Sequence, residues 1–240
     1  MTLYRDEAVV LRTHKLGEAD RIVVLLTAGR GKVRAVAKGV RKTKSRIGGR
    51  LEPPGRVSLI LYEGRDLHVV NQVEAIDAYR PIREDLDRTA DALALLEAVD
   101  QIAQEGEPNR PLYKMLAGAL STLATAPRRP VLLVGAFYWK LLALDGVAPM
   151  LDECARCGSD SELVAFDPVE GGVLCREHRR GPALEPATLG LIRKILGGQL
   201  AAALDEGPGP ASAAVSSLAT TTLEAHLERR LRTVHLLGHL

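Results

Sequence analysis

Over residues 8–73 the apolar side chains come in short runs broken by turn signals. Ala8-Val9-Val10-Leu11 is a compact apolar block, and Arg21–Leu26 (RIVVLL) is rich in β-branched residues. Gly29-Arg30-Gly31 then supplies a turn. Lys32–Lys38 alternates at period two, which puts Lys32, Arg34 and Lys38 on one face and Val33, Ala35 and Ala37 on the other, with Val36 interrupting the basic face. Residues 56–62 (RVSLILY) and 67–73 (LHVVNQV) predict two further strands, joined through the turn Glu63-Gly64-Arg65-Asp66.

Near Pro81 the period changes from two to the helical spacing. Leu86, Leu93, Leu96 and Val99 fall on one predicted helix over 83–104, and 111–125 and 130–145 predict two more, the latter strongly apolar and buried. Residues 150–180 are irregular. Helices resume at 186–198 and at 211–234, where Leu223, Leu227, Leu231 and Val234 make a single apolar stripe. The fold class that follows is α+β. A five-stranded barrel of the OB-fold type spans residues 1–80, and a helical domain spans 81–240 with a cysteine-rich module inserted at 150–180.

Charge sharpens this division. The 240-residue chain has a net charge of only +2, but residues 1–80 hold 16 Lys/Arg against 9 Asp/Glu. The remainder is net acidic. From Gly29 to Arg50 there are nine basic residues and no acidic one. Such asymmetry points to a polyanionic partner for the first domain. The candidate contacts are Lys32, Arg34, Lys38, Arg41, Lys42, Lys44 and Arg46. The competing reading is a solvated charge run. Aromatics are 3% of the chain, so base stacking cannot dominate and phosphate-led, sequence-tolerant binding is expected.

The three cysteines are clustered. Cys154-Ala155-Arg156-Cys157 is followed by Cys175-Arg176-Glu177-His178, and the spacer contains Gly171-Gly172, suited to a hairpin that returns the second pair to the first. Two ligand pairs of this spacing predict one structural zinc ion held by Cys154, Cys157, Cys175 and His178, with no open coordination position. A site that has lost its metal and a redox Cys-x-x-Cys are the alternatives. Phosphate-binding glycine loops, a nucleophile elbow and H-E-x-x-H are all missing, which lowers the expectation of an enzyme. His235 and His239 read as surface histidines of the last helix. No signal-peptide pattern or uninterrupted apolar stretch of membrane length occurs, and the cytoplasm is the expected compartment.

The run GEADRIVVLLTAGRGKVRAVAKGVRKTKSR at 17–46, followed by GGRLEPPG at 48–55, resembles the RecO recombination mediators of bacteria. The resemblance rests on Glu18, Asp20, Arg21, Thr27, Gly31, Lys32, Ala37-Lys38-Gly39, Ser45, Leu51 and Pro53, and on the order of parts along the whole chain. It implies a nucleoid-associated protein, not an enzyme, that binds single- and double-stranded DNA and anneals complementary strands. With RecR, such a protein helps load RecA onto strands coated by single-strand-binding protein (SSB). It also implies that an apolar groove of the helical domain, flanked by Arg128 and Arg129 or by Arg229, Arg230 and Arg232, takes the acidic, apolar C-terminal tail of SSB. A protein–protein adaptor and an RNA-binding zinc module are the competing functions.

Overall fold

The computed structural model describes residues 2–42, 45 and 47–237, with side chains through 234. Lys44, Arg46 and His239 lie outside the described residues. Five strands close into a barrel: β1 (Leu3–Leu16), β2 (Asp20–Thr27), β3 (Gly31–Ala37), β4 (Arg56–Tyr62) and β5 (His68–Asp77). Their order around the barrel is β1-β2-β3-β5-β4, closing back onto β1. This is the small closed five-stranded barrel that the spacing of apolar runs predicts. Strand β1 is much longer than its apolar block. Leu3–Val9 pairs with β4 and Ala8–Leu16 pairs with β2, with a register shift between Val10 and Arg12. A bulge of this kind bends one strand so that it can serve two neighbours.

The barrel interior is aliphatic. Val23, Leu25, Ala35, Leu59 and Leu61 are at most 1% exposed and come from alternate positions of β2, β3 and β4. The outward positions Val9, Leu11, Val24 and Leu26 are buried as well. The reason is a set of helices laid on the barrel: α1 (Arg80–Arg83), α2 (Leu86–Ile102) and α3 (Arg110–Thr125). Helix α2 packs against β1, and α3 against β1 and β2. Asp85 caps α2 by accepting from the Arg88 N–H, and Asn109 caps α3 by accepting from the Leu112 N–H. The helix predicted over 83–104 is α2, which starts at the Asp85 cap, and the short α1 precedes it. The buried side of α2 keeps only half of the predicted stripe, Leu96 and Val99. Leu86 and Leu93 are 72% and 42% exposed, whereas Ala92, Leu95, Leu96 and Val99 are buried. Alanines let α2 approach its neighbours closely, so the small residues face inward.

Strands β3 and β5 pair in parallel over only two residues, Ala35 with His68 and Val36 with Val69. This leaves the first half of β3 with an open edge. The chain after α2 fills it: the Lys32 N–H donates to the Gln104 carbonyl (3.3 Å), and the Gly106 N–H donates to the Lys32 carbonyl (3.0 Å). Gly31 permits the fit. Its φ is +67°, and a Cβ there would lie 1.9 Å from the Glu107 carbonyl oxygen.

By its internal contacts the chain divides into two compact units, Met1–Ala126 and Pro127–Leu240. In the second, α4 (Leu133–Leu144), α5 (Pro186–Leu196) and α7 (Pro210–Leu227) pack on one another, with the short α6 (Leu200–Leu204) between the last two in sequence. Helix α4 is apolar nearly all round and buries Phe137, Tyr138 and Trp139, as its composition predicts. The long final helix expected over 211–234 is interrupted. Helix α7 stops at a left-handed Glu228 (φ 51°), and α8 (Arg232–Leu237) follows. A two-stranded hairpin, β6 (Leu163–Asp167) with β7 (Gly172–Cys175), carries the cysteine-rich module. Its Phe166 meets Trp139 of α4 edge-on, ring centroids 5.5 Å apart.

Candidate functional site

The β6–β7 hairpin returns Cys175 and His178 to the Cys154–Cys157 turn. One ligand atom from each of the four residues falls within 4.8 Å of all the others. The turn is set by short backbone bonds: the Cys154 N–H donates to Ser159 O (2.7 Å) and the Gly158 N–H to Cys154 O (2.9 Å). Gly158 takes a φ of +72°, a conformation that L side chains rarely adopt. The Ala155 N–H donates to Val173 O (2.9 Å) and ties the turn to β7.

The distances suit a tetrahedral ion. A tetrahedron with metal–sulfur bonds of about 2.3 Å has sulfur–sulfur edges of about 3.8 Å. Cys157 Sγ and Cys175 Sγ are 3.8 Å apart, and His178 Nδ1 lies 3.3 Å from Cys175 Sγ and 4.0 Å from Cys154 Sγ. The thiols are electrostatically uneven. Burial pushes Cys154 up, but N–H groups of Cys175, Arg156 and Cys157 donate to its sulfur and bring it down to about 6. For Cys157, the N–H of Ser159 lowers the thiol, while burial and the neighbouring sulfurs of Cys154 and Cys175 raise it further. Thiolates crowded this closely are relieved by a cation between them. The residues therefore fit a metal ion, which Cys154, Cys157, Cys175 and His178 would hold.

On the barrel the structure sorts the cations of the basic segment into two sets. The first belongs to β3. Lys32 Nζ donates to the Asp100 carbonyl (2.6 Å) and lies 3.6 Å from Asp100 Oδ1, and its side chain is only 14% exposed. Arg12 Nε reaches Asp100 Oδ2 at 2.5 Å. Arg34 pairs with Glu105 at 2.9 Å. Acidic groups at the end of α2 thus occupy both basic side chains of the strand. No sequence signal announces this, because Asp100 and Glu105 are 68 and 71 positions from their partners.

The second set lies in the loop after β3. The loop is anchored by the Gly39 N–H donating to Asp20 Oδ1 (2.7 Å), by the Arg41 N–H donating to Ala19 O (2.9 Å), and by Val40, which is 6% exposed in the barrel core. These anchors hold Lys38, Arg41 and Lys42 on the surface. Arg41 donates one guanidinium hydrogen bond to Gly17 O (3.0 Å). Lys38 and Lys42 have no ion-pair partner among the described residues.

A cleft of about 700 Å³ opens beside the β4–β5 loop, lined by Arg34, Arg65, His68, Glu63, Asp66 and Glu105 among others. At its edge Arg30 lies over the Tyr4 ring (4.0 Å to the centroid) and pairs with Glu63 (3.2 Å). Tyr4 Oη and His68 Nδ1 are hydrogen-bonded at 3.0 Å. Burial pushes the Tyr4 hydroxyl up to about 12 against the pull of Arg30. Burial likewise lowers His68 and favours its neutral imidazole. In the second unit a smaller apolar groove of about 250 Å³ runs between Leu142, Val147 and Val169 on one side and Thr222, Ala225 and His226 of α7 on the other. His226 Nε2 lies 2.7 Å from Asp145 Oδ2 at its edge. The groove borders the last turns of α7, the helix end that Arg229 and Arg230 follow directly in sequence.

An OB-type barrel with an anchored basic loop, followed by helices that bear a Cys3His metal-binding hairpin, defines the class of protein. Two family models agree with it: recombination protein O N terminal matches residues 1–79, and recombination protein O C terminal matches residues 83–235. The chain belongs to the recombination protein O family, and that membership carries a recombination-mediator role in DNA repair. No helix among the described residues is long and apolar enough to cross a membrane.

Proposed function

We propose that the protein binds single- and double-stranded DNA through the loop that begins at Lys38 and anneals complementary strands. In the same reading it acts with RecR to load RecA onto strands coated by SSB. The observation that carries this is the anchored loop. Its backbone is tied to the barrel at Gly39, Val40 and Arg41, while Lys38 and Lys42 stand in solvent without an acidic partner among the described residues. Two DNA strands repel through their phosphates. A cationic surface that contacts both screens that repulsion and leaves Watson–Crick edges accessible. No covalent step is involved. Lys38, Arg41 and Lys42 lead, with Lys44 and Arg46 continuing the run. Lys32 and Arg34 contribute less, since Asp100 and Glu105 already neutralise them.

The metal in this reading is zinc, which suits three thiolates and one imidazole in a closed tetrahedral shell. The apolar groove beside the end of α7 takes the SSB tail: side chains such as Val147 and Val169 receive its apolar residues, and Arg229 and Arg230 attract its carboxylates.

Annealing of complementary strands coated by SSB tests the reading. Wild-type protein accelerates it. Replacing Lys38, Arg41, Lys42 and Lys44 together by Ala weakens DNA binding and flattens its salt dependence by roughly 0.7 log units for each lost single-strand phosphate contact. Unchanged annealing by that variant at moderate salt moves the DNA site away from the loop.

A further inference from the structure

The barrel carries an exposed apolar row that its own helices leave uncovered. Cross-strand register places Ile22 beside Val36, Val36 beside Val69, Val69 beside Tyr62 and Tyr62 beside Leu3. Their sequence neighbours Val23, Ala35, Val70, Leu61 and Tyr4 pack into the barrel core, so these five side chains point outward. Leu3 and Tyr62 are 50% and 37% exposed, and the other three are half-buried. Four strand-to-strand steps of about 4.8 Å make the row roughly 19 Å long. Tyr62 is the most exposed aromatic of the described residues. Every other aromatic is buried, or, in the case of Tyr4, lies beneath Arg30.

Cations flank the row. Arg34 lies two residues before Val36 on β3, Lys38 lies two residues after it at the start of the loop, and Arg5 lies two residues from Leu3 on β1. Arg65, on the loop that follows Tyr62, lines the same cleft as Arg34. Among the described residues Arg5, Lys38 and Arg65 have no acidic partner. An apolar strip bordered by unpaired cations matches a polymer with flat apolar faces and a phosphate edge.

We propose that this row is a base-contacting track for single-stranded nucleic acid, with one base stacked on Tyr62 and phosphates held by Lys38, Arg65 and Arg5. It rests on the DNA-binding reading above and adds to it a division of labour. The loop cations contact any phosphate, single or double stranded. The row contacts only bases that are not already stacked inside a duplex, so it distinguishes the two forms. One stacking platform holds a strand lightly and leaves the remaining bases available for pairing.

Equilibrium binding of Tyr62→Ala to a single strand and to a duplex of equal length is the test, with Lys38→Ala/Lys42→Ala alongside. Single-strand affinity of Tyr62→Ala falls about fivefold to tenfold, the low end of what one stacked base contributes. Its duplex affinity and salt slope stay at the wild-type values, and Tyr62→Phe restores single-strand binding. The lysine variant loses affinity for both forms and has a shallower slope. In Tyr62→Trp the new indole is quenched by single strand and not by duplex, against the background of the fully buried Trp139. Equal losses of Tyr62→Ala on both forms, or no loss on either, overturn the track while leaving the phosphate reading intact. No effect of the lysine variant overturns the reading beneath it.

Discussion

The barrel and the cysteine-bearing hairpin are both β structures, yet they are held together by different means. A described core cluster of the barrel contains thirteen buried residues drawn from all five strands and the loop after β3. The hairpin cluster contains four, and two of those are Cys154 and Cys175. A two-stranded sheet with so little apolar material is marginal in water. The hairpin does bury Phe166 and Val173, but around its ligand set the cluster is small, while the barrel closes on aliphatic packing throughout. The two regions thus differ in how much of their hold an ion at the four ligands would supply.

Removing the ion is the strongest way to test that contrast. Coordination by such a set contributes on the order of 10 kcal/mol. Chelation, or Cys175→Ser, should unfold residues 150–180 and leave the barrel intact. Hydrogen exchange resolved by segment reads this directly, and loss of protection in β1–β5 would show that the two regions are not independent. Next in size is Asp100→Ala. It strands Lys32 against the barrel without its counter-charge, and breaking a buried pair from one side costs about 3–5 kcal/mol. Urea unfolding should show that loss in the barrel unit, and Lys32→Met on the same background should recover much of it.

A smaller effect is expected at alkaline pH. Burial raises both Tyr4 and Tyr79 to about 12, so the folded chain keeps them neutral while the unfolded chain ionises near 10. Their contribution is complete below pH 10 and is lost as pH rises from 10 through 12. Absorbance of tyrosinate should lag for Tyr4 and Tyr79 until that range, and Tyr113, which burial also raises, adds to the lag. At the acid end, Glu7 is held below the usual carboxylate range, chiefly by a hydrogen bond from Arg56 and also by one from Tyr113. That contribution is present above the ordinary Glu pKa and fades as pH falls through the depressed value. Smallest of all is Glu105→Gln. The Arg34 pair is half exposed, so stability should change by less than about 1 kcal/mol. DNA affinity should rise modestly as Arg34 is released, and no gain would mean that Arg34 faces no phosphate.

Much of this was legible in the sequence, for identifiable reasons. Ligand spacing fixes which residues can share an ion, so the convergence of Cys154, Cys157, Cys175 and His178 needs no long-range information. Alternation along β3 likewise reports its two faces. It cannot report what covers them. Lys32 and Arg34 look identical in kind to Lys38 and Lys42, and only the folded position of Asp100 and Glu105 separates the sets. The flanks of β1 escaped notice because Arg5, Asp6 and Glu7 break the apolar run while the backbone continues as a strand. The leucines of α2 misled for the opposite reason: Leu86 and Leu93 carry the helical period but face outward, and alanines make the close contact. The row from Ile22 to Leu3 was invisible because it runs across strands, and register is a property of the fold.

The short parallel bridge between Lys32 and the segment after α2 bears on where the molecule can be divided. A fragment ending near residue 80 would keep all five strands but would lose Gln104 and Gly106, the groups that satisfy the β3 edge. It would also uncover Val9, Leu11, Val24 and Leu26. Such a piece would present raw backbone and an oily flank to its own copies, and would be a poor portable module. The smallest excisable unit is the one that carries α1–α3 with it.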